Sequence, residues 1–283
     1  MRIAALMSCF NRKKYTLRCL KQLLNDIPAE IVFDVYLLND GCTDGTPVEV
    51  KEQFPHVNII DGDGSYFWNR GMHRAFEEAY KLKYDFYMWI NDDVLFYKDV
   101  VQHLVESYDS VKNECEESII VGYTLDQTET EVTYSAFREK KAIIPLTFER
   151  VNPSEKLEEA DNFHGNCVLI PAAVVDKIGL NDSTYRHGFG DADYGLTAVR
   201  NGCKVLLTNY PVGICDKNDA NWSITRDKMS LKERYRRLNS IKQRPLNEWL
   251  YFTKKFGGAR WWLRFICPYI KIFVSHVRIM MKK

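Results

Sequence analysis

Apolar runs of strand length alternate along this chain with stretches of helical spacing, and the breaks between them are polar and rich in glycine or asparagine. Residues 3–9 form an apolar run that predicts a short buried strand. Phe10-Asn11-Arg12-Lys13 reads as a turn and helix start, and apolar residues then recur at helical spacing over 15–24. Residues 33–38 predict a second strand. It ends at Asn39-Asp40-Gly41-Cys42-Thr43-Asp44-Gly45-Thr46, a strand-to-helix loop in which Thr46-Pro47 reads as an N-cap followed by proline at the first helical position. A third strand is expected at 57–60, a helix at 68–82 and a fourth strand at 85–90. Strands alternating with helices predict a mostly parallel sheet with crossovers.

Beyond that point 119–124 and 131–138 read as antiparallel hairpin material. A strand is expected at 166–170 and a helix at 171–178. A further helix at 191–200 is stopped by Asn201-Gly202, and 203–207 returns to the sheet. The expected class is α/β, a nucleotide-binding half followed by a mixed half.

Two acidic clusters change this picture from fold to chemistry. Tyr87-Met88-Trp89-Ile90-Asn91-Asp92-Asp93-Val94 is an apolar strand ending in two carboxylates, and Gly188-Phe189-Gly190-Asp191-Ala192-Asp193-Tyr194-Gly195 places two more at a helix start. Carboxylates at the carboxyl end of a buried strand are costly to desolvate and mark a metal or a reaction. A hard divalent cation takes oxygen ligands of this kind. The plainer readings are a strand-end turn rich in Asn and Asp for the first cluster and a macrodipole-favoured acidic pair for the second.

Charge adds an asymmetry. Residues 224–283 carry 16 Lys/Arg against 3 Asp/Glu, leaving 23 and 35 for the rest, so a +13 segment follows a −12 body. The basic end points toward an anionic surface or ligand. Eight cysteines form no CxxC pair, and several lie in apolar runs, which favours reduced core thiols over a zinc site. Residues 1–7 enter a strand without a signal-peptide pattern, so the expected setting is cytoplasmic and reducing.

Taken in order over residues 2–210, these segments resemble family 2 glycosyltransferases, inverting enzymes of the GT-A fold. Leu37-Leu38-Asn39-Asp40-Gly41-Cys42-Thr43-Asp44-Gly45-Thr46 is similar to the family's DDGSTDGT loop, Asn91-Asp92-Asp93 to its DxD motif, and Gly190-Asp191-Ala192-Asp193 to its later acidic motif. Residues 61–71, Asp-Gly-Asp-Gly-Ser-Tyr-Phe-Trp-Asn-Arg-Gly, resemble a bacterial rhamnosyltransferase-like branch of surface-polysaccharide synthesis. The resemblance implies donor contacts from Asn11, Arg12, Asn39, Asp40, Asn69, Arg70 and Asp92, with Mn²⁺ or Mg²⁺ at Asp93. Asp191 is the candidate catalytic base, and Asp193, His187, Arg234 and Arg237 are candidate acceptor or phosphate contacts. The chain departs from the pattern at Asn39 and Asn91, which stand where acids are usual, and at Thr197, where arginine is common. Asparagine still accepts a hydrogen bond but brings no charge.

The implied activity is metal-dependent, inverting transfer of a sugar from a nucleotide-sugar donor to a saccharide or lipid-linked saccharide. No nucleic-acid partner is expected. Two competitors share the sheet. A sugar nucleotidyltransferase would want a glycine-rich loop after the first strand, where Ser8-Cys9-Phe10-Asn11-Arg12-Lys13 stands, and a non-catalytic saccharide-binding protein would tolerate Asp191→Asn. A dinucleotide oxidoreductase is disfavoured, since no GxGxxG follows that strand.

The expected boundary is near residue 220, a GT-A-like domain at 1–220 before a basic helical region at 221–283. In that region Arg264, Lys271 and Arg278 recur every seven residues among aromatic and aliphatic neighbours. A spanning helix would put Lys271 near the bilayer centre at about 2.5–3.5 kcal/mol. Lying in the interface avoids this, so peripheral contact with the inner face of the cytoplasmic membrane is expected. Packing on the protein itself or on a second copy, as a homodimer, is the alternative.

Overall fold

The computed structural model describes residues 1–217 and 229–281. The first half runs β1 (Arg2–Cys9), α1 (Lys13–Asn25), β2 (Val32–Asn39), α2 (Thr46–Gln53), β3 (Asn58–Asp61), α3 (Phe67–Tyr80), β4 (Phe86–Ile90), β5 (Leu95–Phe96) and α4 (Val100–Val111). It continues with β6 (Ser118–Leu125), β7 (Ala136–Glu139), β8 (Phe148–Arg150), β9 (Glu158–Ala160), β10 (Asn162–Phe163), β11 (Cys167–Pro171), α5 (Ala172–Ile178), α6 (Gly190–Arg200) and β12 (Lys204–Ile214). Helices α7 (Leu231–Leu238), α8 (Leu246–Phe256) and α9 (Trp261–Met280) close the described chain.

The main sheet has the order β3-β2-β1-β4-β11-β6-β12-β5, with β9 also paired to β12. Strands β1 to β4 are parallel, as their helical crossovers require. Strand β11 is inserted antiparallel between β4 and β6. That reversal sets the amino end of β11 beside the carboxyl end of β4, with Cys167 opposite Ile90.

Burial explains the sheet's centre. Successive side chains of β1 point to opposite faces. Ile3, Ala5 and Met7 join a core with Leu20 and Leu23 of α1 and Leu104 of α4. Ala4 and Leu6 join a second with Met72 and Phe76 of α3, Val174 of α5 and Ala198 of α6. The sheet is thus covered on both faces, and its middle strands read as continuous apolar runs.

Three local expectations change. Thr46 is the first helical residue of α2, not its cap. The turn is made by Gly45 at φ 81°, and Asp44 Oδ1 accepts from the Thr46 amide and hydroxyl. Strand β6 is a full member of the main sheet, parallel to β12, whereas β7 belongs to a separate β10-β7-β8 sheet. What remains of the expected hairpin is a short return at the Leu125–Val132 bridge and its neighbouring bonds. Strand β12 runs past Leu207 to Ile214, with register shifts around Pro211, where a ladder donor is missing. Pro268 lies buried inside α9.

A third core cluster crosses the boundary expected near residue 220. Leu146, Tyr185 and Leu196 pack with Trp249, Phe252 and Phe256 of α8, and with Phe265 and Tyr269 of α9. Helix α9 buries Pro268 and Ile272 while Trp262, Ile270, Phe273, Val277 and Met280 are exposed on the other side. Among the described residues no helix is long and apolar enough to cross a membrane.

Candidate active site

The carboxyl ends of β1, β2 and β4 carry three loops that meet. Asn11 takes a left-handed backbone (φ 51°) just past β1, and its Oδ1 accepts from the Thr43 amide at 2.7 Å, tying the first loop to the second. Arg12 reaches across to the third. Its Nη2 donates to Asp93 Oδ2 at 2.7 Å, and its Nη1 lies 3.2 Å from Asp92 Oδ1.

The two aspartates differ in surroundings. Asp92 is buried and accepts from the Thr16 hydroxyl at 3.2 Å. Burial pushes its carboxyl up to about 7 against the opposing charge of Arg12. Asp93 Oδ1 is buried and accepts no hydrogen bond from a nitrogen or hydroxyl, with the Cys215 thiol against the same carboxylate. Asn91 points elsewhere, its Oδ1 accepting from Trp68 Nε1 at 2.7 Å.

Asn39 and Asp40 hold the second loop rather than face outward. Asn39 Oδ1 accepts from the Cys42 amide, and Asn39 Nδ2 donates to Asp61, each at 2.9 Å. Asp40 is buried. Its Oδ1 accepts from the amides of Gly64 and Tyr66, and its Oδ2 accepts from that of Phe67 at 2.8 Å. These bonds fix the turn into α3, where Phe67 sits at φ 57°. Asp61, at the exposed end of β3 and opposite Asn39, joins this cluster. Sequence reading gives it no role, although its position at a strand end is a signal.

Asn69 is fully buried and knits α3 to the loop before α6. Its Nδ2 donates to the carbonyls of Asp182 and Tyr185, and Asn181 donates to its Oδ1 at 2.8 Å. Gly190 is required here, because a Cβ would collide with the Asn69 side-chain oxygen. Arg70 Nε donates to Ser183 O, and Arg70 lines a cavity of about 530 Å³ with Tyr66, His73 and Arg74.

One short segment joins the two acidic clusters. The Gly165 amide donates to Asp191 Oδ2 at 3.2 Å, and the next residue's carbonyl, on Asn166, accepts from the Asn91 amide at 3.1 Å. The antiparallel insertion of β11 makes this contact, since 165–166 lead directly into that strand. Asp191 is half-buried near two imidazoles. Burial lowers His164 and His187, and the Asp191 charge opposes both shifts, while Lys242 reinforces the lowering at His187. His164 is a residue that sequence reasoning misses. A lone histidine before a glycine carries no signal until β11 is known to reverse.

Asp193, two residues on, faces inward. Tyr185 donates to its Oδ2 at 2.7 Å and Lys255 of α8 to its Oδ1 at 2.8 Å, with Thr197 at 3.3 Å. Its described bonds thus tie α6 to α8. Arg234 is fully buried, with bonds to Met229 O and Ser275 Oγ of α9, and Arg237 lies 3.7 Å from the Met229 sulfur. Neither makes a described bond to the 91–93 or 190–193 residues.

Fold and site together define an α/β protein of the GT-A type, with acidic loops gathered at the carboxyl ends of a parallel half-sheet. Residues 5–179 match glycosyl transferase family 2, and the chain belongs to that family. Similar solved structures include GalNAc-T7 with UDP, GalNAc and Mn²⁺ (12% identity, TM-score 0.56, 77% of this chain and 43% of that one). TarS 1–349 of S. aureus with UDP-GlcNAc is another (14% identity, TM-score 0.54, 88% and 67%), as is a second S. aureus TarS structure (12%, 0.55, 90% and 42%). This chain therefore spans less than half of the GalNAc-T7 chain. Curated proteins yield no match.

Proposed function

We propose that this chain transfers a sugar from a nucleotide-sugar donor to the hydroxyl of a saccharide or lipid-linked saccharide, with inversion. The observation that carries the reading is the Gly165–Asn166 link, which sets Asp191 and the Asp92–Asp93 loop on the two sides of one backbone segment. A hydroxyl has a pKa far above seven and needs a positioned base as it attacks. Asp191, half-buried with Oδ2 accepting from the Gly165 amide and Oδ1 from the Ala192 amide, takes that proton on a remaining lone pair, a role worth roughly 10²–10⁴-fold. Attack from the face opposite the departing diphosphate needs no enzyme nucleophile. Arg12, beside Asp92 and Asp93, supplies a cationic donor for phosphate oxygens, and Arg70 is a second candidate from the neighbouring cavity. Asn39, Asp40 and Asn69 act by holding the loops in register.

A divalent cation fits this donor set in one way. Among the described residues no cluster of three or more His, Cys, Asp or Glu side chains forms a full cage. Mg²⁺ and Mn²⁺ sites on nucleotide phosphates use one or two carboxylates, with phosphate and water oxygens completing the shell. Asp93 Oδ1, buried and without a nitrogen or hydroxyl donor, suits that role while Oδ2 stays with Arg12. Such an ion would neutralise the charge developing on the leaving diphosphate.

Thermal-shift scans with UDP, dTDP, GDP and CDP, each with Mn²⁺ and with chelator, test the donor site. One nucleotide at 100 times its dissociation constant should stabilise by about 2.7 kcal/mol. Silence from all four would remove the donor reading. The setting proposed, bacterial surface-polysaccharide assembly, rests on the resemblance of residues 61–71.

For α9 the proposal is contact with an anionic lipid surface. Trp262, Ile270, Phe273, Val274, Val277 and Met280 share one exposed stripe opposite buried Pro268 and Ile272, and exposed Lys271 and Arg278 flank it. Residues 249–283 contain no Asp or Glu, so α9 itself brings no carboxylate against anionic headgroups. Ile270→Ser/Phe273→Ser should stay folded and lose co-sedimentation with phosphatidylglycerol vesicles. Undiminished sedimentation would reject the contact.

A further inference from the structure

Cys9 ends β1 and Cys42 sits in the loop after β2, with their sulfurs 3.7 Å apart. The register explains the approach. Cys9 lies opposite Asn39 in the parallel β1–β2 ladder, and Asn39 Oδ1 accepts from the Cys42 amide, folding Cys42 back over the strand end. Cys9 is buried and Cys42 half-buried, so an outside reagent meets Cys42 first.

The two thiols are not equivalent. The Asn11 amide donates to the Cys42 sulfur at 3.2 Å. The Cys9 thiol, the Asn11 amide and the Thr46 hydroxyl favour a thiolate at Cys42 and lower its pKa, outweighing burial and the Asp44 charge, which raise it. The same contact with Cys42 raises Cys9, and burial adds to it. A thiolate, not a thiol, is the nucleophile toward peroxides and alkylating agents. Cys42 therefore has a nucleophile's surroundings, with a second thiol held beside it.

We propose that Cys9 and Cys42 form an oxidation site in which peroxide closes a disulfide between the end of β1 and the second loop of the donor site. The Cys42 thiolate attacks one oxygen of hydrogen peroxide, the O–O bond breaks, and hydroxide leaves, giving a sulfenic acid at Cys42. The Cys9 sulfur then attacks the Cys42 sulfur. The S–O bond breaks, and the departing hydroxyl takes the Cys9 proton to leave as water. Two thiols are oxidised by two electrons and one peroxide is reduced to two waters.

An S–S bond is about 2.05 Å long, so the sulfurs must close most of the present gap. Cys42 is the end that moves, being in a loop while Cys9 is in the central strand. That movement pulls the Cys42 sulfur from the Asn11 amide and disturbs the Asn11–Thr43 tie. Losing one such bond reduces donor affinity by up to about tenfold, since a net hydrogen bond is worth about 0.5–1.5 kcal/mol. This consequence, unlike the disulfide itself, rests on the donor-site reading above.

Tryptic peptide mapping of the full chain after hydrogen peroxide, without reduction, decides the matter. Peptides 3–12 and 22–51 hold Cys9 and Cys42 as their single cysteines, so their cross-link is unambiguous. The expected result is that cross-link, lost on reduction, with iodoacetamide labelling Cys42 of the untreated protein faster than the half-buried Cys115 and Cys267. Absence of the cross-link, or labelling of Cys42 no faster than of those two, overturns the proposal. Nucleotide thermal shifts before and after oxidation read the consequence separately. An undiminished shift in cross-linked protein overturns the coupling to donor affinity, whereas no shift in reduced protein counts against the donor reading and leaves the cross-link test standing.

Discussion

Replacing Lys255 by Met should destabilise the protein. Lys255 is the cation facing the Asp193 carboxylate, whose side chain is 3% exposed against 30% for the lysine. Removing one member of a fully buried pair costs about 3–5 kcal/mol. Two features of the site reduce that figure. Lys255 is partly solvated, and Asp193 keeps the hydroxyl bonds from Tyr185 and Thr197. A loss of about 2–3 kcal/mol is the reasoned value, which at about 2–4 °C per kcal/mol lowers Tm by roughly 4–12 °C. The loss also has a sign in pH. Burial already holds the Asp193 carboxyl above its usual range, with Lys255 opposing that shift. Without Lys255 it rises further. A carboxyl raised in the folded state favours folding below its unfolded pKa and loses that contribution as pH climbs through the folded value. The variant's deficit should therefore narrow as pH falls from about 8 to about 5, where a neutral Asp193 needs no cation. Calorimetry of wild type, Lys255→Met and Lys255→Met/Asp193→Asn across that range measures it, and the double variant should recover at least half of the loss. A deficit that is flat with pH, or a double variant worse than the single, would refute the reasoning.

Asp191→Asn should lower turnover by roughly 10²–10⁴-fold while nucleotide thermal shifts persist, and retained turnover would remove Asp191 as base. Asp93→Ala should abolish the metal-dependent part of the nucleotide shift and leave Tm of the free protein near wild type; an unchanged metal response would place the ion elsewhere. Gly190→Ala should cost about 1–3 kcal/mol in chemical denaturation despite alanine's better helix propensity, because its Cβ meets Asn69. A stabilised Gly190→Ala would mean that the Asn69 contact yields freely.

Much of the sheet is legible in the sequence because its strands are buried on both faces. The apolar run 3–9 and the helical spacing of 15–24 have no reading other than core. The 119–124 strand is visible but its pairing is not, since a short apolar run does not reveal its partner. Its neighbours in the ladder, Leu206 and Leu169, lie far along the chain. The acidic clusters stand out for the same reason, carboxylates beside apolar runs. What each carboxylate does is less visible. Asp191 and Asp193 differ by two places on one helix, yet one points toward Gly165 and the other into the Tyr185–Lys255 cluster, a distinction set by α8 rather than by local sequence. Asn39, Asp40 and Asn69 read in the sequence as facing a ligand, and their bonds are instead to loop backbone and neighbouring side chains.

Phe189 holds a left-handed backbone at φ 69°, and its ring stacks on Trp249 and Phe252, 5.4 and 5.1 Å away. An aromatic residue rarely adopts that conformation unaided. The helix bearing Asp191 is therefore aimed by residues some sixty positions further along. During synthesis the sheet can assemble while that helix start is still unconstrained, and the loop settles only once α8 has left the ribosome and docked. A nascent or proteolysed chain lacking α8 would keep much of its strand order and lose its aim. The aim of this site waits on residues 246–256, which are made well after the strands that frame it.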